Sequence, residues 1–449
     1  MGSRGLVRGH LNAGFYTCVS GVMGDATGIA SGVREQASES SPSRRRRLFR
    51  RIPGIGSGFG LGHNNLILFW GMFFNEASWG FIQTLTPIYI ESLGASPGVV
   101  GLVIGIQGIM RLIFLGPSGM LADRIPIRRL IVIGRSCTTL GILLFALAPS
   151  WIWLIPASFV MAGGNIAFPA ISKVIADGTD DRTRTRTFTL IYTVGPSTAL
   201  LLSPSMGGLL ADFVNLRSIF IAGAIAQAIA VLFFSRLRPV ESTGAQIASV
   251  GYRDVLAYRP VLVVCGMFLG ILLVLTMGFT LVPNYLEDVH GIGIGTIGRF
   301  GSISAAGSVL LGILIARVRF FSRPLNALLL TVLLCPVAFV LLIGGSDTAV
   351  FALVYFCRGG YFVSWGLVFA ILGEVTPERL RSRSFALAEV LGGIGFAIAP
   401  FAAGALYEVG PRVPLVAALI GILPLMLAIL AVRRYVHQLE VKSLESVAA

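Results

Sequence analysis

Lysine is almost missing from this chain of 449 residues: Lys173 and Lys442 are the only ones. A phosphate-binding loop of the Gly-x-x-x-x-Gly-Lys-Ser/Thr type therefore cannot be built, which excludes a primary pump driven through such a loop. Histidine is also scarce. His10, His63, His290 and His437 all fall outside the long apolar stretches, so neither imidazole chemistry nor a histidine metal site is available inside a membrane. The five cysteines, Cys18, Cys137, Cys265, Cys335 and Cys357, are scattered with no disulfide framework and no zinc spacing. Charge is sparse as well, at 12% of residues. These absences leave no catalytic or metal constellation, and the chain reads as no enzyme.

Apolar residues, by contrast, make up 55% of the chain, and the mean hydropathy of +0.83 exceeds what a soluble core of this length requires. A net charge of +14 raises the question of nucleic acid, but the arginines form no single patch. They recur between apolar segments as Arg124, Arg128 and Arg129, then Arg182, Arg184 and Arg186, then Arg236 and Arg238. The second part of the chain repeats this with Arg317, Arg319 and Arg323, then Arg379, Arg381 and Arg383, then Arg433 and Arg434. The alternate connections hold little more than Arg217 and Arg412. That asymmetry is the positive-inside pattern of a multi-pass protein with both termini in the cytoplasm, and a plasma membrane is its expected location. The expected partners are the bilayer and a small molecule, with no nucleic acid, and the chain is expected to act as a monomer.

Apolar stretches of about 20 residues can be placed near 66–90, 99–119, 130–149, 152–176, 187–211, 218–235, 260–284, 296–316, 325–344, 349–373, 384–407 and 414–432. The fold class is thus an all-α membrane protein of about twelve transmembrane helices. Residues 1–62 read as a disordered basic cytoplasmic tail whose arginine run meets anionic headgroups; an over-extended gene start and a transit peptide are the alternatives. A six-helix bundle follows over 63–235, then a polar cytoplasmic linker over 236–259, a second bundle over 260–432 and a cytoplasmic tail over 433–449. The bundles echo each other. Gly163-Gly164 and the stretch from Gly178 to Phe188 are repeated as Gly359-Gly360 and Val375 to Phe385. Pro204, Gly208 and Asp212 recur at one spacing as Pro400, Gly404 and Glu408. A repeat of six helices is a transporter architecture, with the path along the interface of two pseudo-symmetric halves. A channel would want charge rings or carbonyl-lined filters, and neither is visible.

Gly119, Asp123 and Arg124, followed by Arg128 and Arg129 in the turn between the second and third spans, resemble the loop signature of the major facilitator superfamily. Pro204, Gly207 and Gly208 resemble the helix-five motif of its drug:proton antiporter branch, with Ser203 where that motif has a glycine. The arginine that this branch carries ahead of Gly163 has no counterpart among Ser158 to Ala162, and in the second half Ala316 replaces the acid of the loop signature. The resemblance covers about 66–432 and implies two bundles that rock around a central site. Asp123 adds nothing to a positive-inside pattern. It is expected to face the positive N-terminal end of a helix of the other half near Ser384, closing the cytoplasmic gate.

Charges inside spans cost at least about 2.5–3.5 kcal/mol when unpaired, so they are the best functional signals. Glu76 lies about ten residues into the first span, roughly 15 Å deep, and Arg111 reaches a similar depth on the antiparallel second span. A Glu76–Arg111 pair is the first expectation for proton coupling, a static buried salt bridge being its equal alternative. Glu389 is a further proton candidate. Arg358, with Tyr361 and Trp365 on one helix face, is a candidate for the substrate cavity, as are Asn75, Gln83, Gln107 and Asn165. The expected function is proton-coupled efflux of a small amphipathic or cationic molecule by alternating access, with no cofactor beyond a proton gradient. Uptake of a small metabolite or organic anion is the alternative, and a receptor or scaffold that keeps the fold without transporting is another.

Overall fold

The computed structural model describes residues 61–167, 170, 171, 174, 186–238 and 252–448. The basic segment 1–60, the repeat segment 175–185 and most of the linker, 239–251, lie outside the described residues. The first half contains α1 (His63–Gln83), α2 (Thr86–Ser92), α3 (Pro97–Arg124), α4 (Ile127–Leu147), α5 (Leu154–Ala162), α6 (Gly195–Phe213) and α7 (Arg217–Phe234). After α8 (Tyr252–Ala257), inside the expected linker, come α9 (Arg259–Phe279), α10 (Val282–Asp288), α11 (Ile294–Arg317), α12 (Pro324–Gly344), α13 (Thr348–Val375), α14 (Glu378–Val409) and α15 (Val413–Ala448). Among the described residues, 9 helices are long and apolar enough to cross a bilayer. The α1–α2 span, the Trp151–Ala167 stretch and α6 complete the expected set.

Helix ends follow local chemistry. Ser96 caps α3 by accepting from the Val99 N–H at 3.4 Å, with Pro97 in the first turn where no amide hydrogen is needed. At the other end of α3, Ile125 and Pro126 are extended, because proline disfavours helix in the residue before it, and α4 starts directly afterwards. The last helix continues past the expected boundary at 432. It runs 36 residues, well beyond bilayer thickness, so the segment expected as a tail continues as helix.

Two spans expected to be continuous are each broken at the same place. Thr84 and Leu85 interrupt the first, and Thr280 and Leu281 interrupt the seventh, each just ahead of a proline, Pro87 or Pro283, in the first turn of the next helix. Proline lacks the N–H that would continue the ladder. Two residues after each proline is a buried tyrosine that anchors the short helix: Tyr89 donates to the Phe145 carbonyl at 2.6 Å, Tyr285 to the Leu342 carbonyl at 3.3 Å. Thr84-Leu85-x-Pro87-x-Tyr89 and Thr280-Leu281-x-Pro283-x-Tyr285 are related by the offset that relates Pro204 to Pro400.

The halves meet along α3–α14, α6–α11 and α2–α10. Glycines make the first two seams possible. Gly101 packs on Pro400 and Gly404, and Gly105 and Gly108 on Ala397. On the other seam Gly208 lies against Gly295 and Gly298. A side chain at these positions would run into backbone of the opposite helix, so glycine is required by close approach. Ser203, the departure from the helix-five motif, fits because Gly80 faces it; its hydroxyl donates to the Ala199 carbonyl at 2.8 Å.

Candidate functional site

The first polar group is internal to the N-terminal half. Gln227 on α7 donates to Asn75 at 3.2 Å, and Asn75 donates to Glu76 at 3.0 Å, both on α1. Gln227 and Asn75 are buried, whereas Glu76 keeps part of its surface open. The opposite charge comes from Arg135 on α4, which is 7% exposed, attracts Glu76 electrostatically, and has a buried Nε without a hydrogen-bond partner. Arg135 was not among the expected residues. Its signal was in the sequence: an arginine inside the apolar stretch 130–149.

The expected Glu76–Arg111 pair is corrected. Arg111 sits on the face of α3 that meets the other half, and its Nη2 is 3.3 Å from Glu389 Oε2 on α14. Its guanidinium carbon also lies 5.8 Å from the centre of the Trp365 ring on α13. Two expected proton-coupling residues thus meet each other across the seam, beside an expected cavity residue.

Arg358 occupies a third setting inside the C-terminal half. Its guanidinium carbon lies 5.4 Å from the Phe279 ring, 5.3 Å from Tyr355 and 5.8 Å from Phe362, a cation enclosed by aromatic faces. Its Nε is buried without a hydrogen-bond partner. Tyr361 and Trp365 both face α9: the Tyr361 hydroxyl and that of Thr276 share a hydrogen bond of 2.8 Å, and Trp365 packs on Phe268 as well as on Phe396 of α14.

Gln107 is part-buried with an unpartnered Nε2, and Asn165 donates back to the Ala162 carbonyl at 2.8 Å. Gln83 is exposed at the α1 break. Of the expected gate, Arg124, Arg128 and Arg129 are exposed, while the surroundings of Gly119 and the side chain of Asp123 lie outside what is described. Ser384, the expected neighbour of Asp123, is buried and donates to the Leu380 carbonyl of its own helix.

Carboxylate contacts of the type expected for Asp123 do occur, at the opposite end. Asp212 on α6 accepts from the Gly295 N–H at 2.8 Å, at the start of α11. Glu408 on α14 accepts from the Gly98 N–H at 3.1 Å and the Ser96 hydroxyl at 2.8 Å, at the start of α3. Each places an anion on the positive end of a helix of the other half, and the two acids are repeat-equivalent. Glu91 and Asn284 join α2 to α10 beside them, and Ser205 and Ser302 join α6 to α11 at 2.7 Å.

The Major Facilitator Superfamily matches residues 68–371. The inner membrane transport protein YajR of Escherichia coli (strain K12) is 32% identical over 110 residues, 24% of either chain. A multi-drug resistance efflux pump PmrA homolog of Lactococcus lactis is 24% identical over 367 residues, covering 76% of this chain and 88% of the relative. Multidrug resistance protein 1 of Bacillus subtilis is 28% identical over 177 residues, 39% and 45% of the two chains. This chain thus spans most of the PmrA homolog's length and less than half of the other two. Among solved structures, the nucleoside transporter NupG superposes with a TM-score of 0.66 at 17% identity, over 83% of this chain and 99% of that one. A bacterial homolog of the human lysosomal transporter Spinster, inward-facing and unoccupied, gives 0.61 at 17% identity, over 82% and 93%. At such identities the likeness is one of fold. With the matched segment covering more than half of the chain and reaching from the first half of the repeat into the second, the chain belongs to the Major Facilitator Superfamily.

Proposed function

We propose that this transporter exports small amphipathic or cationic molecules across a plasma membrane in exchange for protons, as a monomer with both termini in the cytoplasm. The observation that carries the reading is Glu76, held by the Gln227–Asn75 relay and opposed electrostatically by the buried Arg135, whose Nε has no hydrogen-bond partner. Protonating Glu76 removes the counter-charge of a buried guanidinium, so the two protonation states cannot favour the same arrangement of α1 and α4 equally. The names of the PmrA homolog and of Multidrug resistance protein 1 support export of drug-like molecules. With the arginine-rich end in the cytoplasm, the end sealed by the Asp212 and Glu408 contacts is the outer one, an arrangement that fits an exporter loading from the cytoplasm.

Arg358 favours a second reading, uptake of a small organic anion, because a guanidinium in an aromatic enclosure can bind a carboxylate. The test is efflux of a lipophilic cationic dye from energised cells lacking their own exporters, under an imposed pH gradient. Wild-type efflux that falls to background in Glu76→Gln supports proton-coupled export. Efflux unchanged in that variant removes Glu76 from coupling, and no cation efflux with accumulation of an organic anion selects the second reading.

A further inference from the structure

Trp365 is set into a rigid aromatic floor in the C-terminal half. It meets Phe268 edge-on with ring centres 5.0 Å apart, and Phe396 at 5.4 Å. Glu389, its side chain only 14% exposed, shares with Trp365 a common neighbour in Arg111. A single carboxylate next to an aromatic face, in apolar surroundings, is a site for a monovalent cation with apolar bulk. That site is filled by a group from the other half: the guanidinium of Arg111, over the ring and 3.3 Å from the carboxylate, with 37% of its own side chain still exposed. The receiving groups are on α13 and α14, the cation on α3.

We infer that Glu389 and Trp365 form a cation-binding site that Arg111 occupies as a tethered competitor, and that a lipophilic monocation binds there by displacing it. This rests on the export reading for its biological use but not for its chemistry. Displacement would have a mechanical consequence. Arg111–Glu389 is one tie between α3 and α14, so the arriving cation neutralises Glu389 and removes that tie in the same event. Substrate binding would then itself loosen the seam that has to move.

The experiment is equilibrium binding of tetraphenylphosphonium to the full-length protein in lipid nanodiscs. Removing the tethered charge in Arg111→Met is expected to tighten binding about tenfold. Arg111→Lys should stay near wild type, and tetraphenylborate, an anion of the same shape, should gain nothing from Arg111→Met. Adding Glu389→Gln to Arg111→Met should abolish the gain. Unchanged or weaker binding in Arg111→Met, an equal gain for the anion, or a gain that survives Glu389→Gln overturns the inference. If Arg111→Met does not fold, wild type against Glu389→Gln decides: equal affinity overturns it, loss of binding sustains it. Dye efflux by cells is read separately. The expected binding pattern without efflux sinks export and keeps the site; efflux without the pattern does the reverse.

Discussion

The two ends of this transporter hold their charges in opposite ways. At one end the acids are used across the seam: Asp212 and Glu408 each sit on the first amides of a helix from the other half, and Glu91 meets Asn284. At the other end Arg124, Arg128, Arg129, Arg317, Arg319 and Arg323 are exposed, and α3 is tied to α14 only as far along as Arg111 and Leu112 among the contacts described. A carboxylate at a helix N-terminus gains both hydrogen bonds and dipole, so a pair of them can bias one closed state. Arginines at a membrane surface need no partner to fix orientation. The carboxylates of one end therefore bias a closed state of that end, and the exposed arginines of the other are of the kind that fixes orientation.

The comparison breaks most completely if the sealed end cannot close. Gly101→Val puts methyl groups against the backbone of Pro400 and Gly404, an overpacking cost of about 1–3 kcal/mol. Transport should fall to background, and a cysteine placed at Ser302 should become reactive to an impermeant maleimide. Transport at the wild-type level would mean that this seam does not set the cycle. A smaller effect is expected from removing both caps. Asp212→Asn with Glu408→Gln should cost about 1–2 kcal/mol together and shift the equilibrium toward the open sealed end about five- to thirtyfold. Spin-label distances across α6–α11 read that shift; no change would show the caps to be idle.

The smallest effect concerns pH. His290, between α10 and α11, packs on Tyr285 and Phe351, and burial together with the Arg412 charge holds its imidazole below the ordinary value. A depressed histidine is held neutral by the fold. Its contribution to stability is full above about pH 6.5 and is lost as pH falls through the lower native value. Thermal unfolding from pH 7.5 down to 5 should show a modest loss that His290→Phe flattens. An identical pH slope in both proteins would remove His290 from the sealed end.

Much of the site was legible residue by residue but not pair by pair. Glu76 and Arg111 stand out because charge inside an apolar run is costly, and their depths are comparable. Depth does not specify which way a side chain faces around its helix. Arg111 faces α14 and meets Glu389, and Glu76 is opposed by Arg135 from α4. The matched breaks before Pro87 and Pro283 were readable too, since both prolines stand in the same short motif, yet apolar length alone favours unbroken spans.

Composition, span length and the spacing of arginines were enough to determine a membrane protein, its helices and its repeat, because burial in lipid and backbone satisfaction act on each segment by itself. Which charges meet, and which end is sealed, depends on how α3 and α6 rotate and slide against α14 and α11. Those contacts join residues from distant parts of the chain through glycine-lined surfaces that carry no directional signal of their own. Only the tertiary structure decides them.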